Sequence, residues 1–214
     1  MKTTKKEADN INGVSNGGEP FISMQAPYRV IVTIEGIAAI LFHRWDSDDV
    51  EAKAKAAKGS AGKKTDNPEN YVYRLPNGHL ALPGEYLRQS IIQAAKFRQD
   101  PRSPRKSAMD LYKACVQSLT ELADLGLASW DFLDRRRVVI QRSAITRMRP
   151  ALHAGWQATV ILTVTMPQYI SVHELIETAN MAGQLIGAGD FRPTFGRFIV
   201  KNFEVLENAQ PKAA

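Results

Sequence analysis

Residues 27–42 read PYRVIVTIEGIAAILF, a stretch rich in β-branched residues in which Val30, Val32 and Ile34 alternate with Arg29, Ile31 and Thr33. A period of two places these sets on opposite faces of an extended strand. The apolar face must then be covered by a second layer. Residues 156–166 repeat the pattern in WQATVILTVTM, and residues 197–206 form a final strand with Phe198, Val200 and Phe203 as apolar positions. Helical periodicity falls between these strands. Leu87, Ile91, Ile92 and Ala95 share one face over residues 85–97, entered through Pro83-Gly84. Ser107 is placed to cap a second helix over 108–125, stopped at Gly126. Ser171 and Glu174 form a capping-box pattern for a third, running to about residue 186. Residues 71–75 and 79–82 flank Pro76-Asn77-Gly78 as a β-hairpin. Residues 130–146 read as strand interrupted by Arg135-Arg136-Arg137, and Gly36 as a bulge or kink. This order predicts an α+β fold, a ferredoxin-like or RRM-like antiparallel sheet backed by helices.

The remaining stretches set the expected organisation. Residues 1–26 are polar and Gly/Asn-rich and read as a flexible N-terminal arm; residues 207–214 read as a flexible tail. Residues 27–206 form one α+β domain in this reading. Inside it, residues 46–70 carry the run EAKAKAAKGSAGKK and the turn signal TDNPEN, and are expected to be a long mobile excursion. No apolar run reaches the roughly 20 residues of a membrane span. The N-terminus has no apolar h-region, so a cytoplasmic setting without membrane association is expected. The single Cys115 makes no internal disulfide and, with four scattered histidines, no Cys-rich zinc site; neither metal nor cofactor is expected.

Charge narrows the partner. The net charge is +6, but residues 96–106 carry +4, residues 135–149 carry +6 and residues 187–201 carry +2, leaving −6 for the rest. Such concentration points to a polyanion, and a bland surface would mix the signs. The contributors are Lys96, Arg98, Arg102, Arg105 and Lys106 in a loop with Pro101 and Pro104, and Arg135, Arg136, Arg137, Arg142, Arg147 and Arg149 in strand material. In strands, Arg135 and Arg137 share a face, as do Arg147 and Arg149. The third group is a glycine loop, Gly187, Gly189 and Gly196 with Arg192 and Arg197. There, main-chain N–H groups approach phosphate oxygens and arginine forks pair with them. Phe191 and Phe195 are placed to stack on splayed bases or to anchor the loop. At the end of the first strand, Arg44 and Trp45 are binding candidates, and His43 is a weak candidate for a general base towards a ribose hydroxyl.

Three stretches resemble the RAMP superfamily, the repeat-associated proteins that bind RNA in CRISPR effector complexes. LALPGEYLRQSIIQAAK (residues 80–96) resembles that family's strand-to-helix junction, with Pro83, Gly84, Leu87 and Arg88 at matching positions. A first strand followed by a long polar loop resembles the opening of the backbone subunits. LIGAGDFRPTFGRFIV (residues 185–200) resembles the late glycine-rich loop. Glu85 and Tyr86 stand where the family commonly has small hydroxyl residues. The resemblance implies binding of single-stranded RNA with Arg88 among the contacts, side-by-side homo-oligomers along a guide strand, other effector subunits as partners, and a thumb-like role for residues 46–70. It fits an antiviral defence complex or a mobile-element relative. Two alternatives stay open. One is an endoribonuclease of the same fold, His-dependent through His43 or metal-dependent through Asp46 or Asp48, as the resemblance to target-cleaving type III subunits implies. The other is a phage single-stranded DNA-binding or annealing protein.

Overall fold

In a computed structural model, the structure describes residues 26–45, 67–140 and 143–206, with positions 47, 51 and 55 between them. The core is a four-stranded antiparallel sheet built from β1 (Tyr28–Gly36), β7 (Val116–Ser118), β11 (Gln157–Val164) and β12 (Phe198–Leu206), in the order β12-β1-β11-β7. Helices α1 (Gly84–Ala94) and α3 (Val172–Leu185) connect β1 to β7 and β11 to β12. Taken in sequence rank the strands run 4-1-3-2, the ferredoxin-like arrangement. Alternation works as the sequence dictates: Val30, Val32 and Ile34 of β1 and Val160, Leu162 and Val164 of β11 are fully buried beneath the helices. The opposite face carries Ile31, Thr33, Thr159, Ile161 and Asn202 and no aromatic side chain. A stacking platform of the RRM kind is therefore absent from these strands.

Two insertions extend the core at one end of the sheet. The first lies between β1 and α1 and contributes β2 (Ile40–Leu41), a 3-10 turn (Pro68–Tyr71), β3 (Tyr73–Arg74) and β4 (Leu80–Pro83). The second lies between β7 and β11 and contributes β8 (Leu122–Asp124), β9 (Phe132–Ile140) and β10 (Ser143–Leu152). They pair with each other, β2 with β10 and β4 with β8. The connection from α3 to β12 arrives at the same end, where Phe198 pairs with Gly36. At the opposite end, the short ribbon β5 (Gln99–Asp100) and β6 (Ser103–Ser107) and the helix α2 (Met109–Cys115) link α1 to β7.

Several expectations are corrected. The second helix ends at Cys115, not near 125, because the edge of β11 recruits Val116–Ser118 and β4 recruits Leu122–Asp124. Ser107 caps nothing; Ala108 holds the N-cap position without a side-chain bond. Gly126 closes a turn after β8, its N–H donating to Asp124 Oδ1 at 2.7 Å. The basic loop 98–106 is largely the β5–β6 ribbon. The three arginines at 135–137 do not interrupt a strand; β9 runs through them because the hairpin projects beyond the core, where both faces tolerate charge. Gly36 is no bulge: Trp156 lies against it, and a Cβ there would sit 2.0 Å from the indole nitrogen. The irregular pairing is between β1 and β12 at Thr33/Ile34. The capping box of Ser171 and Glu174 on α3 is present. Residues 67–70 belong to the folded body, since Asn67 caps the 3-10 turn and Tyr71 is buried. The proposed arm and tail, and most of 46–70 including Asp46 and Asp48, lie outside the described residues, as does Arg142. No helix among the described residues is long and apolar enough to cross a membrane.

Candidate nucleic-acid interface

The glycine loop shows how the site end is built. Gly187, Gly189 and Gly196 all have positive φ, between 72° and 79°, a region closed to most side chains. A Cβ on Gly196 would stand 1.7 Å from the carbonyl oxygen of Ala188, and one on Gly189 2.7 Å from that of Leu41. The loop is thus folded on itself and against β2. Its amides are turned inward: Gly187 donates to Ala182, Ala188 to Gly196, Asp190 to Leu41, and Gly196 to Ala39. The N–H groups of Gly187 and Gly196, expected to approach phosphates, are thus spent inside the fold. The loop offers side chains instead, with Arg192 and Arg197 exposed and Phe191 and Phe195 half-buried.

Those side chains meet the base of the β9–β10 hairpin. Arg136 lies over both rings, its guanidinium carbon 4.2 Å from the centroid of Phe195 and 5.4 Å from that of Phe191. Its nitrogens pair with Asp134, two residues back on the same face. Across the hairpin, Arg136 faces Arg147, and Asp134 faces Arg149. Arg149 is only 4% exposed, donates from Nε to Asp190 Oδ2 at 2.9 Å and covers the Tyr71 ring at 4.6 Å. His43 completes the cluster, with Nδ1 3.6 Å from Asp190 Oδ2 and its ring 5.7 Å from that of Tyr71. Burial pushes the His43 imidazole below its ordinary range, the Arg149 charge adds to this, and the Asp190 carboxylate works against it. Beside it, Tyr86 donates to the His43 carbonyl at 3.4 Å, and Arg44 stands 5.9 Å from the Tyr73 ring. Burial, then the neighbouring Tyr73, raises the Tyr86 phenol above its usual range. Trp45 is 72% exposed at the rim.

The structure thus gathers His43, Arg44, Trp45, Arg147, Arg149, Phe191, Arg192 and Phe195 at one end of the sheet. Arg135 and Arg137 belong to the other face of the hairpin, opposite Met148 and Thr146, so the two arginine pairs point in opposite directions. Arg197 stands just before β12, exposed, with its carbonyl accepting from Ile37 and Ala38. Lys96 shares a shallow cavity of about 380 Å³ with Arg192. Arg88 is engaged inside the fold, donating to the carbonyls of Val116 and Lys113 and to Glu85. The 96–106 group does not reach this end of the sheet beyond Lys96: Arg98 pairs with Glu177, Arg102 with Asp100, and Arg105 and Lys106 lie exposed on β6 at the far end. Sequence reading missed Tyr71, Tyr73 and Asp190, and counted Arg136 among the basic residues without a place for it. The Asp134–Arg136 spacing on one strand face was the available signal for Arg136. Nothing local marks the tyrosines, whose role arises from the pairing of the two insertions. Among the described residues no group of three or more His, Cys, Asp or Glu side chains is placed to hold a metal ion.

No protein-family model matches the chain, and no curated protein matches it. A solved structure does. It is described as a cryo-EM structure of the type III-B Cmr-beta bound to cognate target RNA. The similarity covers 85% of this chain and 61% of that one, with a TM-score of 0.45 and 10% identity. The chain therefore spans about three-fifths of that neighbour's length.

Proposed function

We propose that this protein binds single-stranded RNA as a RAMP-like backbone subunit, lying side by side with further copies along a guide strand in a CRISPR-type or related mobile-element ribonucleoprotein. The observation that carries this reading is the convergence of Arg44, Arg147 and Arg192 with Trp45 and Phe191 where three connections of the ferredoxin-like core meet. Cations alternating with aromatic faces suit a strand whose phosphates are gripped and whose bases are splayed. The β9–β10 hairpin, with Arg135 and Arg137 on its outer face, adds a projecting element that reaches along the strand or towards a neighbouring copy.

Phosphate contacts release counterions, so affinity should fall steeply as salt rises. Arg192→Ala should weaken all sequences alike and flatten the slope of log affinity against log salt by about one unit. An unchanged slope would remove the glycine loop from the interface. Competition with DNA of the same sequence separates an RNA reader from a single-stranded DNA-binding protein. His43 beside Asp190 is the arrangement that a nuclease reading would use. Labelled RNA is expected to survive incubation with magnesium or manganese. Fragments that persist in EDTA and vanish in His43→Ala would instead establish general-base cleavage.

A further inference from the structure

Next to this surface lies a cavity of about 580 Å³, lined by Arg44, Tyr73, Pro83, Glu85, Glu121 and Leu122, with Arg74, Ser118 and Thr120 completing the wall. We propose that it is a guanine-selective pocket that reads one base turned inward from the bound strand. This proposal rests on the RNA-binding reading above for the strand, but not for the pocket's chemistry.

The cavity is held open by the local fold. Gly84 approaches the β7–β8 turn so closely that a Cβ would stand 2.2 Å from the Thr120 carbonyl oxygen, and its N–H donates to the Glu121 carbonyl at 3.0 Å. This contact sets Glu85, in the first turn of α1, beside Glu121 on one wall. Arg44 and the Tyr73 ring belong to the same cavity and connect it to the interface, since Arg44 donates its main-chain N–H to Tyr71 and Tyr86 bridges Tyr73 to the His43 carbonyl. Several lining groups are already engaged: Arg74 with Glu69 and two carbonyls, Ser118 with the Thr120 carbonyl, and Thr120 with the Ile161 amide. Glu85 uses one oxygen, Oε1, for Arg88 and Gln89. The Glu121 carboxylate, the second oxygen of Glu85 and the Arg44 guanidinium have no hydrogen-bond partner among the described residues.

Those uncommitted groups select among bases. Guanine presents an acceptor pair, O6 and N7, that matches an arginine fork. It also presents an adjacent donor pair, N1–H and the N2 amino group, that matches a carboxylate. Adenine and cytosine place an acceptor nitrogen beside their amino group, where a carboxylate is repelled. Uracil offers one N–H between two carbonyls. An arginine and two carboxylates on one cavity, with a tyrosine ring to stack upon, therefore fit guanine and disfavour the other bases. The same chemistry would take a free guanine nucleotide.

The test compares short RNAs of one length in which a single residue in a uridine background is guanosine, adenosine, inosine or 7-deazaguanosine, alongside GMP and AMP. We expect the guanosine RNA to bind about tenfold more tightly than the adenosine RNA. Inosine, lacking the N2 amino group, and 7-deazaguanosine, lacking N7, should fall between them. Glu121→Gln should lower the guanosine-to-adenosine ratio several-fold, the Arg44 fork keeping the remainder, whereas Arg192→Ala should lower both affinities and keep the ratio. Equal affinity for the guanosine and adenosine RNAs in the unaltered protein overturns the pocket and leaves the RNA-binding reading intact. If no RNA binds, that reading fails and GMP decides the pocket: saturable binding that excludes AMP and is lost in Glu121→Gln sustains it, and none overturns it.

Discussion

Arg149 and Gly196 show two ways in which a single position holds the interface together. Arg149 is buried with a partially exposed carboxylate, Asp190, on one side and the Tyr71 ring on the other. Its role is to fix the glycine loop to the base of the hairpin, while Arg147 and Arg192 present the accessible charge. Gly196 combines positive φ with a carbonyl oxygen that a Cβ would overlap. Gly196→Ala is therefore expected to lose at least about 2 kcal/mol of stability, through backbone strain and steric conflict together. Chemical denaturation checks this, and an unchanged midpoint would show that the loop repacks freely. Such a residue was visible in the sequence as a glycine before an arginine, but its reason was misread. A sequence gives the permissive residue type without saying whether the open space faces a ligand or another backbone.

The β5–β6 ribbon shows the same division at the level of elements. Asp100 accepts from the side chain of Arg102, which, with a main-chain bond from the same residue, holds its carboxyl at about 2 against an ordinary 3.8. A carboxyl lowered in the folded state stabilises above its unfolded value, and that contribution disappears as the pH falls through the folded value. Asp100→Asn should thus melt below the unaltered protein at neutral pH, and the gap should close between pH 4 and pH 2. A gap independent of pH would mean that the ion pair contributes nothing. Strand alternation in β1 and β11 and the capping box of α3 were legible because they rest on neighbours a few residues apart. The fate of residues 116–124 was not. Their helical propensity gave way to open sheet edges supplied by β11 and β4, segments distant in sequence. The arginine pairs 135/137 and 147/149 were correctly assigned to shared faces, but only the hairpin register shows that the two faces are opposite.

For the molecule as a whole, the ferredoxin-like core acts as a platform with two dissimilar ends. One end carries the paired insertions and the glycine loop, the other the β5–β6 ribbon, so the three basic stretches of the sequence are divided between two ends. The folded body resumes by Asn67. Replacing residues 50–64 with a short Gly/Ser linker is therefore expected to leave the melting temperature within a few degrees, because closing a surface loop depends weakly on its length. Loss of cooperative unfolding would place that segment in the core. A drop in assembly on long RNA at unchanged stability would assign it to contacts between copies. The inward-turned amides of the glycine loop have a consequence for how such a surface diversifies. The amides of residues 187, 188, 190 and 196 are bonded inside the fold, so the course of the loop is set before it holds anything. Positions 192, 194 and 197 can then be exchanged like the teeth of a key on an unchanging blank, altering which strand is gripped without asking the fold to be found again.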